Sequence, residues 1–352
     1  MSVTVAFVGT GPDPHNPEWG TSAAMAYQHA QAYDANESCS LVACADLVAD
    51  HALAFANRFE IPDSNVYESY DSMVQDIEPD VVSVCTPVPT HAEIVLDLLD
   101  SGAVGAIHCE KPMADTWRNC QRMVDRASAE DVQLTFNHQR RFAETTARAQ
   151  ALIDDGAIGE LVRFEVGGKN LFDFGSHLID LCTHFHDSGE ASWALCQIDY
   201  HTENVRYGTH NENQAIAHWR YDNGVDAVLA TGEMTPLENH LLRLVGTAGW
   251  IDLWPQDDTD VSLRINRAGE SETISTNDET MLQNAIDHVI ECHETRATPI
   301  IGGEEVKHAT EIVFGCWESA RQRGRIDFPL STIDNPLAAM VESGTITPAS
   351  DG

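Results

Sequence analysis

An alternation in the first 137 residues constrains the fold of this chain more than any other feature. Short β-branched runs at Val3–Val8, Ser40–Ala45, Asp80–Cys85, Val104–Cys109 and Val132–Phe136 are separated by amphipathic stretches such as Asp50–Phe59, His91–Leu99 and Thr116–Ala127. The apolar runs lack polar residues at every second position, so they read as strands buried on both faces. That is the signature of a parallel α/β sheet covered by helices. The first run starts directly after Ser2, with no basic region and no long apolar stretch, and predicts a strand rather than a signal peptide or membrane span.

From about Leu161 the pattern changes. One helical pattern covers Asp173–His186, and strand-like segments then follow in succession at Trp193–Tyr200, Gln214–Tyr221, Val225–Thr231, His240–Val245 and Trp250–Leu253. Asn223-Gly224 between two of them is a strong two-residue hairpin signal. Helical patterns near Glu279–Arg296 and Glu304–Arg321 close the region. Strands in series with flanking helices predict an α+β domain with an open, mainly antiparallel sheet. The expected division is residues 1–137, residues 138–330, and a polar tail over 331–352.

Charge then limits the partners. The chain carries 56 Asp+Glu against 20 Lys+Arg, a formal net charge of −36, yet 43% of its residues are hydrophobic and can build cores. Phosphate contacts need clustered Lys and Arg, so nucleic acid and anionic membranes are not expected partners. Lysine occurs only at Lys111, Lys169 and Lys307. An acidic, lysine-poor surface fits a halophilic cytoplasm, where molar salt shrinks the screening length to about 3 Å and self-repulsion is tolerated. Any lysine retained on such a surface is a candidate for function. The nine cysteines are scattered and odd in number, without a C-x-x-C pair, which points to free thiols in a reducing cytoplasm.

Val8-Gly9-Thr10-Gly11 ends the first strand with two glycines of a dinucleotide fingerprint. They permit a tight turn and close approach of backbone to a pyrophosphate seated on a helix N-terminus. The third small residue does not follow at the usual spacing, because Pro12–Gly20 intervenes. The helix is expected to start near Thr21 or Ser22, either of which could cap it. The second strand ends at Asp46, where a carboxylate would bind the adenosine ribose hydroxyls and repel the 2′-phosphate of NADP. It thus favours NAD, unless Asp46 is only a helix N-terminal residue. These signals point to an N-terminal dinucleotide-binding domain.

Two further motifs carry chemistry. Ile107-His108-Cys109-Glu110-Lys111-Pro112 is an apolar strand that ends in a charged dipeptide before proline, and strand carboxyl ends are where open α/β sheets hold ligands. The proline fixes the turn, with a cis bond as one way of doing so. At Asp173-Phe174-Gly175-Ser176-His177-Leu178-Ile179-Asp180, spacing i, i+4, i+7 predicts two carboxylates and an imidazole on one helical face. Such a carboxylate can orient a histidine for general-base work, and the alternative is a solvated acidic face.

Glu110-Lys111-Pro112, Thr86-Pro87 with His91, and Asp173-x-x-x-His177-x-x-Asp180 resemble the Gfo/Idh/MocA oxidoreductase family over nearly the whole chain. The resemblance implies a Rossmann fold for the N-terminal domain, and an NAD-dependent dehydrogenase that moves hydride between nicotinamide and a secondary alcohol of a sugar, inositol or related polyol. Lys111 would hydrogen-bond the reacting hydroxyl and the nicotinamide ribose, and His177 would be the general acid/base. Asp173 would position His177 or bind substrate, and Asp180 would hold substrate or stabilise the helix. Glu110, Thr86, Pro87 and His91 would lie along the nicotinamide side, and Gly9, Thr10, Gly11 and Asp46 would hold the rest of the dinucleotide. The C-terminal sheet would mediate a homodimer or homotetramer. The family also implies two other readings, an NAD-dependent glycosidase using transient oxidation and elimination, and a non-catalytic NAD or sugar sensor.

Matching His29 to the family's histidine near the first helix makes Ala26 the third small residue and Pro12–Gly20 an insertion. Trp19 within it either covers cofactor or substrate or packs on the surface. Lys169 and Asn170 are candidates for the substrate pocket, against a plain turn, and Asn137–Phe142 either contacts ligand or braces the domain junction. No metal is expected. Cys182 and His186 share a helical face while His184 points away, and Asp257–Asp260 reads as a solvated loop rather than a calcium site.

Overall fold

Val3–Val8 forms β1 as its composition demands, and the chain then alternates through α1 (Met25–Asp34), β2 (Cys39–Ala45), α2 (Ala49–Arg58), β3 (Val66–Tyr67), α3 (Tyr70–Ile77), β4 (Val81–Val84), α4 (Val88–Ser101), β5 (Ala106–Cys109), α5 (Trp117–Ala129) and β6 (Gln133–Phe136). The computed structural model describes residues 2–16, 24–186, 189–232 and 239–348. It divides into two units, the first made of Met1–Ala114, Asn119–Gln139 and Leu282–Glu305, the second of Asp115–Arg118, Arg140–Met281 and Val306–Gly352. In the first unit six parallel strands lie in the order β3-β2-β1-β4-β5-β6, the dinucleotide-binding order. All four residues of β4 and of β5 are buried, which explains why those runs show no alternation.

One face of this sheet is sealed by Val5, Phe7, Tyr27, Tyr33 and Phe55, with Phe7 and Phe55 ring centroids 5.0 Å apart. Ile286 and Ile290 complete the same cluster. They come from a helix over Met281–Thr295, which the sequence pattern assigns to the C-terminal region. Gln283 Nε2 donates to the Ala32 carbonyl at 2.9 Å and Gln133 Nε2 to the Val289 carbonyl at 3.0 Å, tying this helix into the first unit. An amphipathic pattern shows that a helix has an apolar face, not which sheet receives it.

The second unit begins with α6 (Glu144–Asp154), β7 (Leu161–Gly168), α7 (Gly175–Phe185), β8 (Ala191–Asp199), β9 (Val205–Arg206) and β10 (Thr209–His210). It continues through β11 (Gln214–Tyr221), β12 (Asp226–Thr231), β13 (His240–Gly246), β14 (Gly249–Pro255), β15 (Leu263–Arg267) and β16 (Glu270–Ile274). After α8, the Met281–Thr295 helix, come α9 (Gly303–Gln322), β17 (Ile326–Asp327) and α10 (Pro336–Glu342). Nine strands form one sheet in the order β16-β15-β14-β13-β7-β12-β11-β8-β17, antiparallel except for the β7–β12 pair. Along β11, Ala215, Ala217, Trp219 and Tyr221 are buried while Ile216 is exposed, the alternation of a sheet with one covered face. The Asn223-Gly224 hairpin joins β11 and β12, with Gly224 at φ +92° and Asn223 Oδ1 accepting from the Val225 N–H at 3.0 Å.

Two of the departures from the sequence reading have plain physical causes. β16 carries Glu270, Ser271 and Glu272 on an exposed edge, so it offers no apolar pattern to detect. Within the stretch expected as a polar tail, α10 buries Pro336, Leu337 and Met340. Asn335 caps it through Oδ1 to the Ala338 N–H at 3.0 Å, and Pro336 takes the first turn. Among the described residues no helix is long and apolar enough to cross a membrane.

Candidate active site

The crest of the first sheet is built on glycine. Gly9 and Gly11 hold φ of +81° and +63°, which favours glycine, and a Cβ on Gly9 would lie 2.5 Å from Thr86 Cγ2. The end of β1 therefore runs against the end of β4 with no room for a side chain, a cradle in which backbone can approach a ligand closely. Asp46 fastens this turn. Its Oδ2 accepts from the N–H groups of Thr10 and Gly11 at 2.8 and 2.9 Å and from Thr10 Oγ1 at 3.1 Å, while Oδ1 accepts from the Val48 N–H at 2.8 Å. The sequence predicts a ribose contact for this residue; in the structure it staples the end of β2 to the glycine turn. Ala26 is buried in α1, whereas Trp19 and the expected capping residues Thr21 and Ser22 lie outside the described residues.

At the end of β4, Thr86 and Pro87 lead into α4, with Thr90 Oγ1 donating to Thr86 Oγ1 at 2.8 Å. His91 is fully buried, and burial lowers its pKa. Its Nε2 lies 2.8 Å from the Thr86 carbonyl and its Nδ1 3.0 Å from that of Pro112. The ring thus braces the β4 turn against the turn that follows Lys111. Its 0% exposure makes it a support rather than a wall of the site.

At the end of β5, Glu110 is 7% exposed and anchored from several sides. Oε1 accepts from Asn137 Nδ2 at 2.7 Å and lies 2.9 Å from His29 Nε2, and Oε2 accepts from the Lys111 backbone N–H at 3.1 Å. His29 Nδ1 in turn lies 2.9 Å from Ser83 Oγ. Burial works against a proton on His29, but the Cys85 sulfur and the Glu110 carboxylate outweigh it and raise the pKa to about 10. Burial likewise disfavours charge on Glu110, yet hydrogen bonds and charge from His29, helped by Asn137, hold it down at about 2. The result is a buried imidazolium–carboxylate pair that fixes the backbone carrying Lys111. The Lys111–Pro112 bond is cis. Sequence reasoning used His29 only as a family marker and did not see Ser83 in this cluster. Its partners are separated by 54 to 108 residues, beyond the reach of any local pattern.

In the second unit, Gly168 to His177 forms one tightly held turn. Asn170, 5% exposed, accepts the Phe174 N–H on Oδ1 at 2.8 Å, and Asn211 Oδ1 accepts the Asp173 N–H at 3.0 Å. The fully buried Glu212 accepts from the Leu171 N–H, and from Trp317 Nε1 at 2.9 Å. Burial raises the Glu212 pKa to about 7, against those same hydrogen bonds. Asn211, Glu212 and Trp317 were not legible as site residues, since they act only by holding this turn.

Asp173, His177 and Asp180 do not share one helical face. α7 begins at Gly175, so Asp173 stands in the turn before the helix rather than on its face. The Asn170 side chain takes the Phe174 N–H, and a Cβ on Gly175 would lie 2.3 Å from the Asn170 carbonyl oxygen, so the chain turns sharply before it coils. His177, 9% exposed, and Asp180 remain three residues apart on the helix. Asp180 forms a bidentate pair with Arg141, Nε to Oδ2 at 2.8 Å and Nη2 to Oδ1 at 2.7 Å, with both side chains 1% exposed. Lys169 is exposed, with its Nζ 5.8 Å from the centre of the Phe174 ring.

Both units of the chain resemble known proteins. Residues 19–138 match the GFO_IDH_MocA family model, described as an oxidoreductase family with an NAD-binding Rossmann fold, and residues 163–252 match a GFO/IDH/MocA C-terminal domain model. The D-glucoside 3-dehydrogenase of Escherichia coli is 30% identical over 172 residues, 43% of this chain and 48% of that protein. The inositol 2-dehydrogenase of Rhizobium meliloti is 33% identical over 138 residues, 38% of each chain. The match thus spans less than half the length of either curated relative. Among solved structures, a levoglucosan dehydrogenase in complex with NADH and levoglucosan gives a TM-score of 0.78 at 18% identity, over 94% of this chain and all of that one. The aldose-aldose oxidoreductase of Caulobacter crescentus gives 0.77 at 18% identity, over 93% of this chain and all of that one.

Proposed function

The chain belongs to the Gfo/Idh/MocA oxidoreductase family, and we propose that it is an NAD-dependent dehydrogenase oxidising a secondary alcohol of a sugar, inositol or related polyol. One observation carries this reading. Lys111, one of three lysines in a chain of net charge −36, follows a strand end whose backbone is fixed by the buried Glu110–His29–Asn137 cluster. A lysine retained and so supported is suited to chemistry rather than to solvation.

The glycine turn fits a dinucleotide, because Gly9 and Gly11 turn the chain at positive φ on the carboxyl end of β1 and put no side chain between a ligand and the backbone. Gly9, Thr10 and Gly11 would face the pyrophosphate, Asp46 Oδ1 the adenosine ribose, and Thr86, Pro87 and Glu110 would lie along the nicotinamide side. A carboxylate at Asp46 repels a 2′-phosphate and selects NAD. Bound nicotinamide supplies the hydride acceptor. The Lys111 ammonium donates a hydrogen bond to the reacting hydroxyl and stabilises the charge that grows on its oxygen. A ring nitrogen of His177 takes the proton, and Asp173 in the adjoining turn orients the imidazole or the substrate. Lys169 and Asn170 contribute to the substrate pocket. Asp180, committed to Arg141, secures α7 beneath His177.

The test is a screen of polyols and sugars with NAD in molar KCl, read as NADH absorbance, followed by Lys111→Met. Turnover is expected to fall by orders of magnitude in the variant while NADH still binds. A wild type inactive across the screen, or a fully active variant, refutes the reading. The molar salt follows from the acidic surface, which we read as adapted to a saline cytoplasm, and a thermal midpoint unaffected by KCl would contradict that. We also place an interface between copies of this chain on the outer face of the second sheet, where Leu195 and Ile216 are 46% and 52% exposed. Sedimentation equilibrium that finds only monomers would exclude it.

A further inference from the structure

Arg140 stands at the start of the second unit in an unusual setting. Its guanidinium carbon lies 4.8 Å from the centre of the Trp254 ring and 5.6 Å from that of Phe174, and Lys169 Nζ lies 5.8 Å from the same Phe174 ring. Two cations therefore converge on one aromatic ring three residues before His177. Like charges do not gather without cause in a chain with 20 basic and 56 acidic residues. Counter-ions are abundant, yet among the described residues neither Arg140 nor Lys169 makes an ion pair, whereas Arg126, Arg163, Arg220, Arg243 and Arg321 all do.

The acid best placed to neutralise Arg140 is occupied elsewhere. Asp278 is near enough to favour the charged guanidinium. Its carboxylate, however, accepts from the Thr145 N–H at 3.0 Å, Thr145 Oγ1 at 2.8 Å, Trp254 Nε1 at 2.9 Å and Thr276 Oγ1 at 3.4 Å. Those donors satisfy both oxygens and turn Asp278 into a clamp on Trp254. Trp254 itself sits at φ +51°, in the left-handed region that bulky residues avoid. Strain of this kind is kept where surrounding contacts over-determine it, and it concentrates at ligand clamps. Here it lays the indole beside a half-buried guanidinium whose five N–H donors have no acceptor among the described residues. A planar donor fork of that kind, stacked on aromatic rings, matches the geometry of a carboxylate or a phosphate.

Resting on the dehydrogenase reading above, we propose that Arg140 and Lys169 form an oxyanion-recognition subsite, so that the substrate is a sugar or polyol derivative bearing a carboxylate or a phosphate. Arg140 binds the oxyanion through its fork while Trp254 and Phe174 fix the plane of the guanidinium, and Lys169 adds a second charge from the exposed side. The subsite also answers a problem set by the net charge of −36, since an anionic substrate is repelled by the surface as a whole and needs local cations. Contacts to a half-buried guanidinium outlast molar salt better than surface pairs do.

The test measures equilibrium binding to the full-length protein with NADH present, by calorimetry, in molar KCl. The ligands are glucose, glucuronate, gluconate, glucose 6-phosphate and myo-inositol. At least one anionic ligand is expected to bind tenfold or more tightly than glucose, and the better of the carboxylate and phosphate arms identifies the oxyanion. In Arg140→Gln that preference collapses to near unity, and in Lys169→Gln it falls severalfold. Trp254→Phe, which keeps a ring but loses the clamp to Asp278, should weaken the anion more than it weakens glucose. Equal affinity for neutral and anionic ligands in the wild type overturns the proposal, as does a preference that survives in both cation variants. Selective anion binding without NADH production from any ligand supports the subsite while refuting the dehydrogenase reading, so the two fail separately.

Discussion

Asp180→Asn separates two roles that the sequence left open for this residue, substrate contact and support of the helix. The carboxylate meets Arg141 through two parallel bonds of 2.7 and 2.8 Å, and both side chains are 1% exposed. Neutralising one partner leaves a guanidinium buried without its counter-charge, which typically costs about 3–5 kcal/mol. At roughly 2–4 °C of midpoint per kcal/mol for a unit of this size, the unfolding transition should drop by roughly 6 °C or more. Differential scanning calorimetry in molar KCl reads that shift, and the transition to follow is the one the second unit contributes, since two units need not melt together. The double variant Arg141→Met with Asp180→Leu should recover much of the loss, because removing both charges also removes the uncompensated one. An Asp180→Asn protein with an unchanged midpoint and a raised KM would refute the structural role and return Asp180 to the substrate.

Three other outcomes follow from the same geometry. The fold raises the His29 pKa from 6.5 to about 10, so this stabilisation is whole below pH 6.5 and is lost as pH climbs through about 10. Glu110, lowered from 4.5 to about 2, stabilises above pH 4.5 and loses its share as pH falls through about 2. Denaturant titrations should show His29→Gln flattening the alkaline limb, and an unaltered limb would contradict the pair. Glu212 is raised from 4.5 to about 7, so it adds stability at low pH that disappears between about 4.5 and 7, on the order of 3 kcal/mol in all. Glu212→Gln should abolish that slope, and a wild type with no slope there would argue against a buried neutral acid. Asp46→Ser should weaken NADH and NADPH together, because the carboxylate that we propose for the ribose also holds the N–H groups of Thr10 and Gly11. A clean switch to tight NADPH binding in fluorescence titrations would show that the staple is dispensable.

What was legible in the sequence was local. The limits of β1 and β11 coincide with the runs Val3–Val8 and Gln214–Tyr221, because apolar runs and turn residues act over a few neighbours. The Asn223-Gly224 turn needed nothing beyond its own dihedral preferences. Gly9, Gly11, Asp46 and Lys111 could be placed at strand ends for the same reason, since each closes or directly follows an apolar run. Tertiary structure decided everything that depends on a partner far along the chain. His29 and Glu110 are 81 residues apart, Arg141 and Asp180 are 39 apart, and Glu212 and Trp317 are 105 apart. Only packing assigned the Met281–Thr295 helix to the first sheet, and Asn211 and Glu212, together with Asn170, hold the turn that keeps Asp173 outside α7. Periodicity records which face of an element avoids water. The identity of the group that meets a buried charge is set by where distant segments come to rest, and that groups Asp278 with Trp254 and leaves Arg140 open to an oxyanion.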